Sequence, residues 1–85
     1  KYLGESIRIH FQQEGYDGSE LSDSEVYRNK KDAAKALNSY RDKYSVYDDN
    51  VKNLYYFDDS GNIFHIVSNG KIFKGKKIKP DDIGE

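Results

Sequence analysis

Two tight turns constrain this chain more than any other feature. Asn69-Gly70 is the two-residue signature of a type I′ hairpin turn, in which both central residues need positive φ. Upstream, Asp58-Asp59-Ser60-Gly61-Asn62 suits a three-residue hairpin loop with Gly61 in the left-handed position. Residues 51–79 therefore read as three consecutive antiparallel strands. Taken literally, the turns pair Phe57 with Ile63, Tyr55 with His65, and Ile66 with Phe73. Side chains alternate with period two along a strand. One face then holds Leu54, Tyr56, Phe64, Ile66 and Phe73, and is expected to be core. The other holds Tyr55, Phe57, Ile63, His65, Val67, Ile72, Lys74 and Lys76. A slip of one residue would exchange the two sets, so the turn chemistry carries the assignment.

The first half supplies the remaining elements. Residues 6–12 alternate, with Ile7, Ile9 and Phe11 on one side and Arg8, His10 and Gln12 on the other, as in a half-buried strand. Gly15, Asp17, Gly18 and Ser19 end it with turn chemistry. The acidic, polar stretch that follows, to Ser24, reads as a surface loop, and residues 25–28 as a short strand. Asn29 is a good N-cap and Asp32 favours the positive end of a helix dipole. A helix is expected over residues 30–44, with Ala33, Leu37, Tyr40 and Tyr44 in one stripe and Ala34 and Ala36 beside it. Arg41 and Lys43 suit its last turn. Gly75, inside the third strand of the C-terminal set, marks a bulge or a close approach. Pro80-Asp81-Asp82 ends that strand, and a frayed tail is expected over residues 80–85.

The expected fold is α+β: an antiparallel sheet of four to five strands, in the order β-β-α-β-β-β, with a single helix packed on one face. At 85 residues the chain is read as one compact domain spanning residues 1–85. It has no cysteine, so no disulfide or thiolate-metal staple contributes, and stability has to come from burying rings: 8 Tyr and 4 Phe. No apolar run approaches the roughly 18 residues that cross a bilayer, and no signal-peptide core is visible. A cytoplasmic location is the expectation.

Charge is balanced overall, with 14 basic and 15 acidic residues, which argues against a dedicated non-specific nucleic-acid binder. It is unevenly placed. Glu14, Asp17, Glu20, Asp23 and Glu25 form a stretch without a lysine or arginine, and Lys71, Lys74, Lys76, Lys77 and Lys79 cluster near the other end.

Catalytic motifs are weak. His10 and His65 are the two histidines, and a small nuclease would use them as general base and acid, with Lys74 or Arg8 on the developing charge. Neither has the hydroxyl or acidic neighbours in sequence that such sites generally use. Asp48-Asp49, Asp58-Asp59 and Asp81-Asp82 lack the alternating oxygen ligands of a Ca²⁺ loop and read as turn residues. Neither GxGxxG nor a P-loop occurs, and there is no serine-centred elbow. No catalytic residue, metal ligand or cofactor is assigned.

The second sheet face is the better lead. Tyr55, Phe57, His65, Ile72, Lys74 and Lys76 are the candidate partner-binding residues, since contiguous exposed apolar surface marks interaction sites and Tyr is a favoured anchor. The expected function is a small non-enzymatic binding protein acting through a protein–protein interface. An inhibitor or accessory regulator of bacterial, phage or plasmid origin fits the small size and the Lys, Asp, Asn and Tyr usage. The alternative is a weak nucleic-acid-binding domain, its rings stacking on bases and its lysines on phosphates. A small nuclease is the third reading. Coverage of this face by the N-terminal strand would remove the first two.

Overall fold

The computed structural model describes residues 6–45, 47–73 and 75–84. In chain order these form β1 (Ile7–Gly15), β2 (Glu20–Tyr27), α1 (Lys30–Lys43), β3 (Val51–Asp58), β4 (Ile63–Ser68), β5 (Lys71–Ile72) and a 3₁₀ turn (Pro80–Asp82). The strands make one open five-stranded sheet in the order β2-β1-β3-β4-β5. Every pairing is antiparallel. This is the α+β arrangement expected, with one helix on one face.

Local chemistry explains each element. The Asn29 side chain accepts from the Asp32 backbone N–H at 2.8 Å, capping α1. Ala33, Ala34 and Leu37 are the buried residues of the helix. The hairpin turns behave as read: Asn69 and Gly70 both have positive φ, 52° and 80°, and Gly61 lies at 93°. Phe57 faces Ile63 and Tyr55 faces His65. The Phe73 N–H donates to the Ile66 carbonyl at 2.6 Å.

Four expectations are corrected. The acidic stretch is no loop: β2 runs through it, in unbroken register with β1 from Ile7 opposite Tyr27 to Glu14 opposite Glu20. Residues 20–24 are exposed on both faces of an edge strand, so nothing there selects an apolar alternation; the short strand expected over residues 25–28 is the end of β2. Over residues 80–84 the tail is not frayed: Ile83 is 1% exposed and packs in the cluster of Ile9, Ala33, Ala34 and Leu37. The third correction is a β-bulge. Tyr55 opposes His65 but Leu54 opposes Val67, leaving Ile66 as an extra residue in β4. The bulge turns Ile66 and Val67 both into the cluster with Val51 and Leu54, and Val67 is 0% exposed. Because Ile72 pairs with Val67, it leaves the face of Tyr55 and His65, and Phe73 takes its place there.

Fourth, the third strand of the C-terminal set is short. It ends at Ile72, and the chain then crosses to the helix. Arg41 donates from Nε and Nη2 to the Gly75 carbonyl, at 3.0 and 2.7 Å. Asn38 exchanges two 2.8 Å bonds with the Ile78 backbone, donating to its carbonyl and accepting from its N–H. Gly75 thus marks an exit from the sheet.

Asp58 ties the tail to the β3–β4 hairpin. Its carboxylate, 3% exposed, accepts from the backbone N–H groups of Ser60, Asn62 and Gly84 and from the Asn62 amide, at 2.9 to 3.0 Å. Burial by itself would raise this carboxyl, but the bonds from Asn62, Gly84 and Ser60 outweigh it and hold it below its ordinary value.

Two predictions follow from this core. Leu37→Ala removes a fully buried side chain between helix and sheet and should cost about 2–5 kcal/mol, read as a lower urea midpoint; an unchanged midpoint would mean that Leu37 does not carry the helix–sheet contact. Asp58→Asn should cost about 1–3 kcal/mol at pH 7, the worth of hydrogen bonds to a charged acceptor. A carboxyl lowered on folding stabilises above its unfolded pKa, about 3.9, and that contribution is lost as pH falls through the folded value. The gap between the two proteins should therefore narrow below about pH 4; a gap independent of pH would show that the ionised form is not what the fold uses.

Candidate binding face

Strand register settles which side chains share the face opposite the helix. Across the sheet, Ser24, His10, Phe57 and Ile63 form one row, and Ser22, Gln12, Tyr55 and His65 the next. The helix and the 3₁₀ turn both lie on the other side, where Ala33, Ala34, Leu37 and Ile83 meet Ile9. Among the described residues no helix or turn covers the rows. His65 and Ile63 are exposed, and His10, Tyr55 and Phe57 are half-buried by one another. The alternative in which the N-terminal strand covers this face does not hold: β1 lies within the sheet, between β2 and β3.

The rings form a continuous path. His10 stacks on Phe57 at 4.8 Å and 18°. Phe57 meets Tyr55 at 6.1 Å, Tyr55 meets His65 at 5.8 Å, and His65 meets Phe73 edge-on at 6.2 Å. These are ordinary aromatic separations, each a favourable cross-strand or neighbour contact.

Carboxylates flank the path. His10 donates from Nε2 to Asp59 Oδ1 at 2.6 Å. The Tyr55 hydroxyl donates to Glu14 Oε2 at 3.4 Å, and Glu14 also accepts from the Asn53 and Gln12 amides, at 3.0 and 3.3 Å. Burial, then the Glu14 charge, pushes the Tyr55 hydroxyl above the usual phenol value, which keeps it a donor. Arg8 donates to Ser24 Oγ at 3.1 Å.

Of the expected face residues, Tyr55, Phe57 and His65 come together. Ile72 is turned to the other face by the bulge. Lys76 lies in the segment that Gly75 and Ile78 fasten to α1, so it follows the helix and not the sheet. Lys74 lies outside the described residues. The face gains His10, Glu14 and Phe73, none of which the sequence reading placed there. The alternation of residues 6–12 grouped His10 with Arg8 and Gln12, but no turn links β1 to β3, so nothing local announced their pairing.

The two histidines share the face without meeting. They stand on β1 and β4 with β3 between them, about 10 Å apart laterally at two inter-strand spacings. Phe57 and Tyr55 fill that interval, so the pair cannot bracket a single scissile bond as acid and base. The paired aspartates serve turns: Asp48 accepts from Asn50 N–H, Asp58 from Ser60 and Asn62, and Asp82 from Lys79 N–H. No cluster of three or more metal-ligating side chains occurs among the described residues. None of the described helices is long and apolar enough to cross a membrane.

Set against protein-family models, characterised proteins and solved structures, the chain matches none of them.

Proposed function

We propose that this chain is a small non-enzymatic binding domain that engages a folded protein partner through the open face of its sheet, as an inhibitor or accessory regulator would. The observation that carries this reading is the ring path from His10 through Phe57, Tyr55 and His65 to Phe73, which no described helix or turn covers. A sheet face that is solvated for its own sake alternates polar residues outward. This one carries rings there instead, outside the apolar core. Rings with a polar edge are favoured protein anchors, because they bury much area and lose little rotamer freedom.

Charge supports a protein over a nucleic acid. A backbone-tracking groove needs several cations in line with the stacking rings. Here Glu14 and Asp59 touch the rings themselves, and Lys76 stands off on the helix side. A mixed-charge rim around an aromatic centre is ordinary for a protein interface.

Tyr55→Ala should lower folding stability by about 1 kcal/mol or less, the worth of its cross-strand contacts. It should nevertheless weaken partner binding by at least about 1 kcal/mol. The test is comparative capture from the native host, read by mass spectrometry, with wild type, Tyr55→Ala and the helix-side control Lys35→Ala. Partners held by wild type and Lys35→Ala but lost by Tyr55→Ala support the reading. Equal capture by all three removes it. Binding of single-stranded DNA or RNA with a steep salt dependence would move the face to the nucleic-acid class.

A further inference from the structure

A second surface lies at the β2 edge, on the helix side. Strand β2 has eight residues and one neighbour, and all of it except Tyr27 is exposed. It contains no proline, and its register with β1 is unbroken. Its outer side therefore presents a row of backbone groups without a strand partner, the template that strand addition uses; one of them, the Ser24 N–H, donates to Asp23 Oδ1 at 2.7 Å, a bond an added strand would have to replace.

Beside this edge the helix leaves a gap. A cleft of about 260 Å³ opens between α1 and β2, floored by Phe11 and Tyr56 and walled by Leu21 and Tyr40. Leu21 is 59% exposed and Tyr40 38%, so the apolar wall faces solvent. The rim carries Asp23 and Glu25.

The charge pattern names the occupant. No lysine or arginine occurs in residues 9–27. Glu20 stands directly opposite Glu14, a like-charge cross-strand pair that costs stability. Carboxylates along an edge discourage two copies from pairing acid against acid, and the same carboxylates favour an incoming cationic strand.

We propose that the β2 edge docks an extended lysine- or arginine-rich segment of a partner protein. The segment adds as a sixth strand, seats one apolar side chain in the cleft beside Leu21 and Tyr40, and sets its cations against Asp23 and Glu25. None of the five rings of the open-face path lines this cleft, although Asp23 at the edge also borders His10 and Phe57.

The probe is a capped heptapeptide alternating lysine and valine around a central leucine, titrated into the full chain and followed by amide NMR. Saturable shifts confined to β2 and the cleft, with slowed exchange of β2 amides, are expected. A proline at the peptide centre should abolish binding, because it removes a ladder donor. The glutamate-for-lysine peptide should not bind. Asp23→Lys with Glu25→Lys should weaken the lysine peptide at least about tenfold; both positions are exposed, and an unchanged melting temperature shows that the variant folds. Four outcomes overturn the proposal: no binding; equal binding of the proline peptide, which means diffuse charge attraction; shifts centred on Tyr55 and His65, which put the peptide on the other face; and concentration-dependent dimerisation through β2 without peptide, which makes a second copy the occupant.

Discussion

One helix has to cover one face of five strands, and the rest of the molecule is arranged around that mismatch. Five strands at a spacing of about 4.8 Å make a sheet about 19 Å wide, whereas a helix with its side chains is about 10–12 Å across. Leu37 and the two alanines let α1 lie close over the middle. The flank toward β4 and β5 is filled by the C-terminal segment, which brings Ile78 and Ile83 under the helix. The flank toward β2 is filled only in part, by Tyr27, Tyr40 and Tyr56. Tyr40 and Tyr56 stack at 5.0 Å with their planes within 4°. Burial pushes the Tyr56 hydroxyl up to about 12, and that flank is where the cleft remains.

Polar groups do the fastening that a small apolar core cannot. Asp58 joins a hairpin turn to the tail, and Asn38 and Arg41 hold residues 75–78 along the helix. At the other end, Asn50 closes the β1–β2 loop: its Nδ2 donates to Asp17 at 3.0 Å, and its Oδ1 accepts from the Asp17 N–H at 3.2 Å. The Asn50 and Ser19 bonds hold the Asp17 carboxyl down at about 2. Gly15 lies within this knot. A Cβ there would displace the Ser19 hydroxyl and the Asn50 amide, so any side chain at this position disturbs the knot.

What the sequence revealed depended on whether a signal was local. Asn69-Gly70 and Gly61 encode their own backbone geometry, so two hairpins and the core of the ring face were legible. The helix was legible because its cap and its stripe agree. The bulge at Ile66 was not, since two adjacent apolar residues both turned inward look the same as ordinary alternation with one at the wrong phase. That single extra residue moved Val67 and Ile72 off the candidate face and put Phe73 on it. Only the 25–28 end of β2 was legible; residues 20–24 were hidden because an edge exposed on both sides exerts no selection for period two. Docking of the tail was hidden because Leu37, which Ile83 packs near, and Asp58, which accepts from the Gly84 N–H, are distant in sequence and no periodicity links them.

The exchange between Asn38 and the Ile78 backbone lets a helix side chain play the part of a neighbouring strand. Its amide offers one donor and one acceptor, as a peptide group does. The C-terminal segment therefore has no ladder to join until α1 exists and lies on the sheet. Such a segment is expected to dock after the helix and to open before the sheet. It should form its own cooperative unit at the low end of the stability range, with amides near residue 78 exchanging faster than those of β1 and β3. Opening it would expose the Leu37 side of the helix while leaving the ring path and the β2 edge intact.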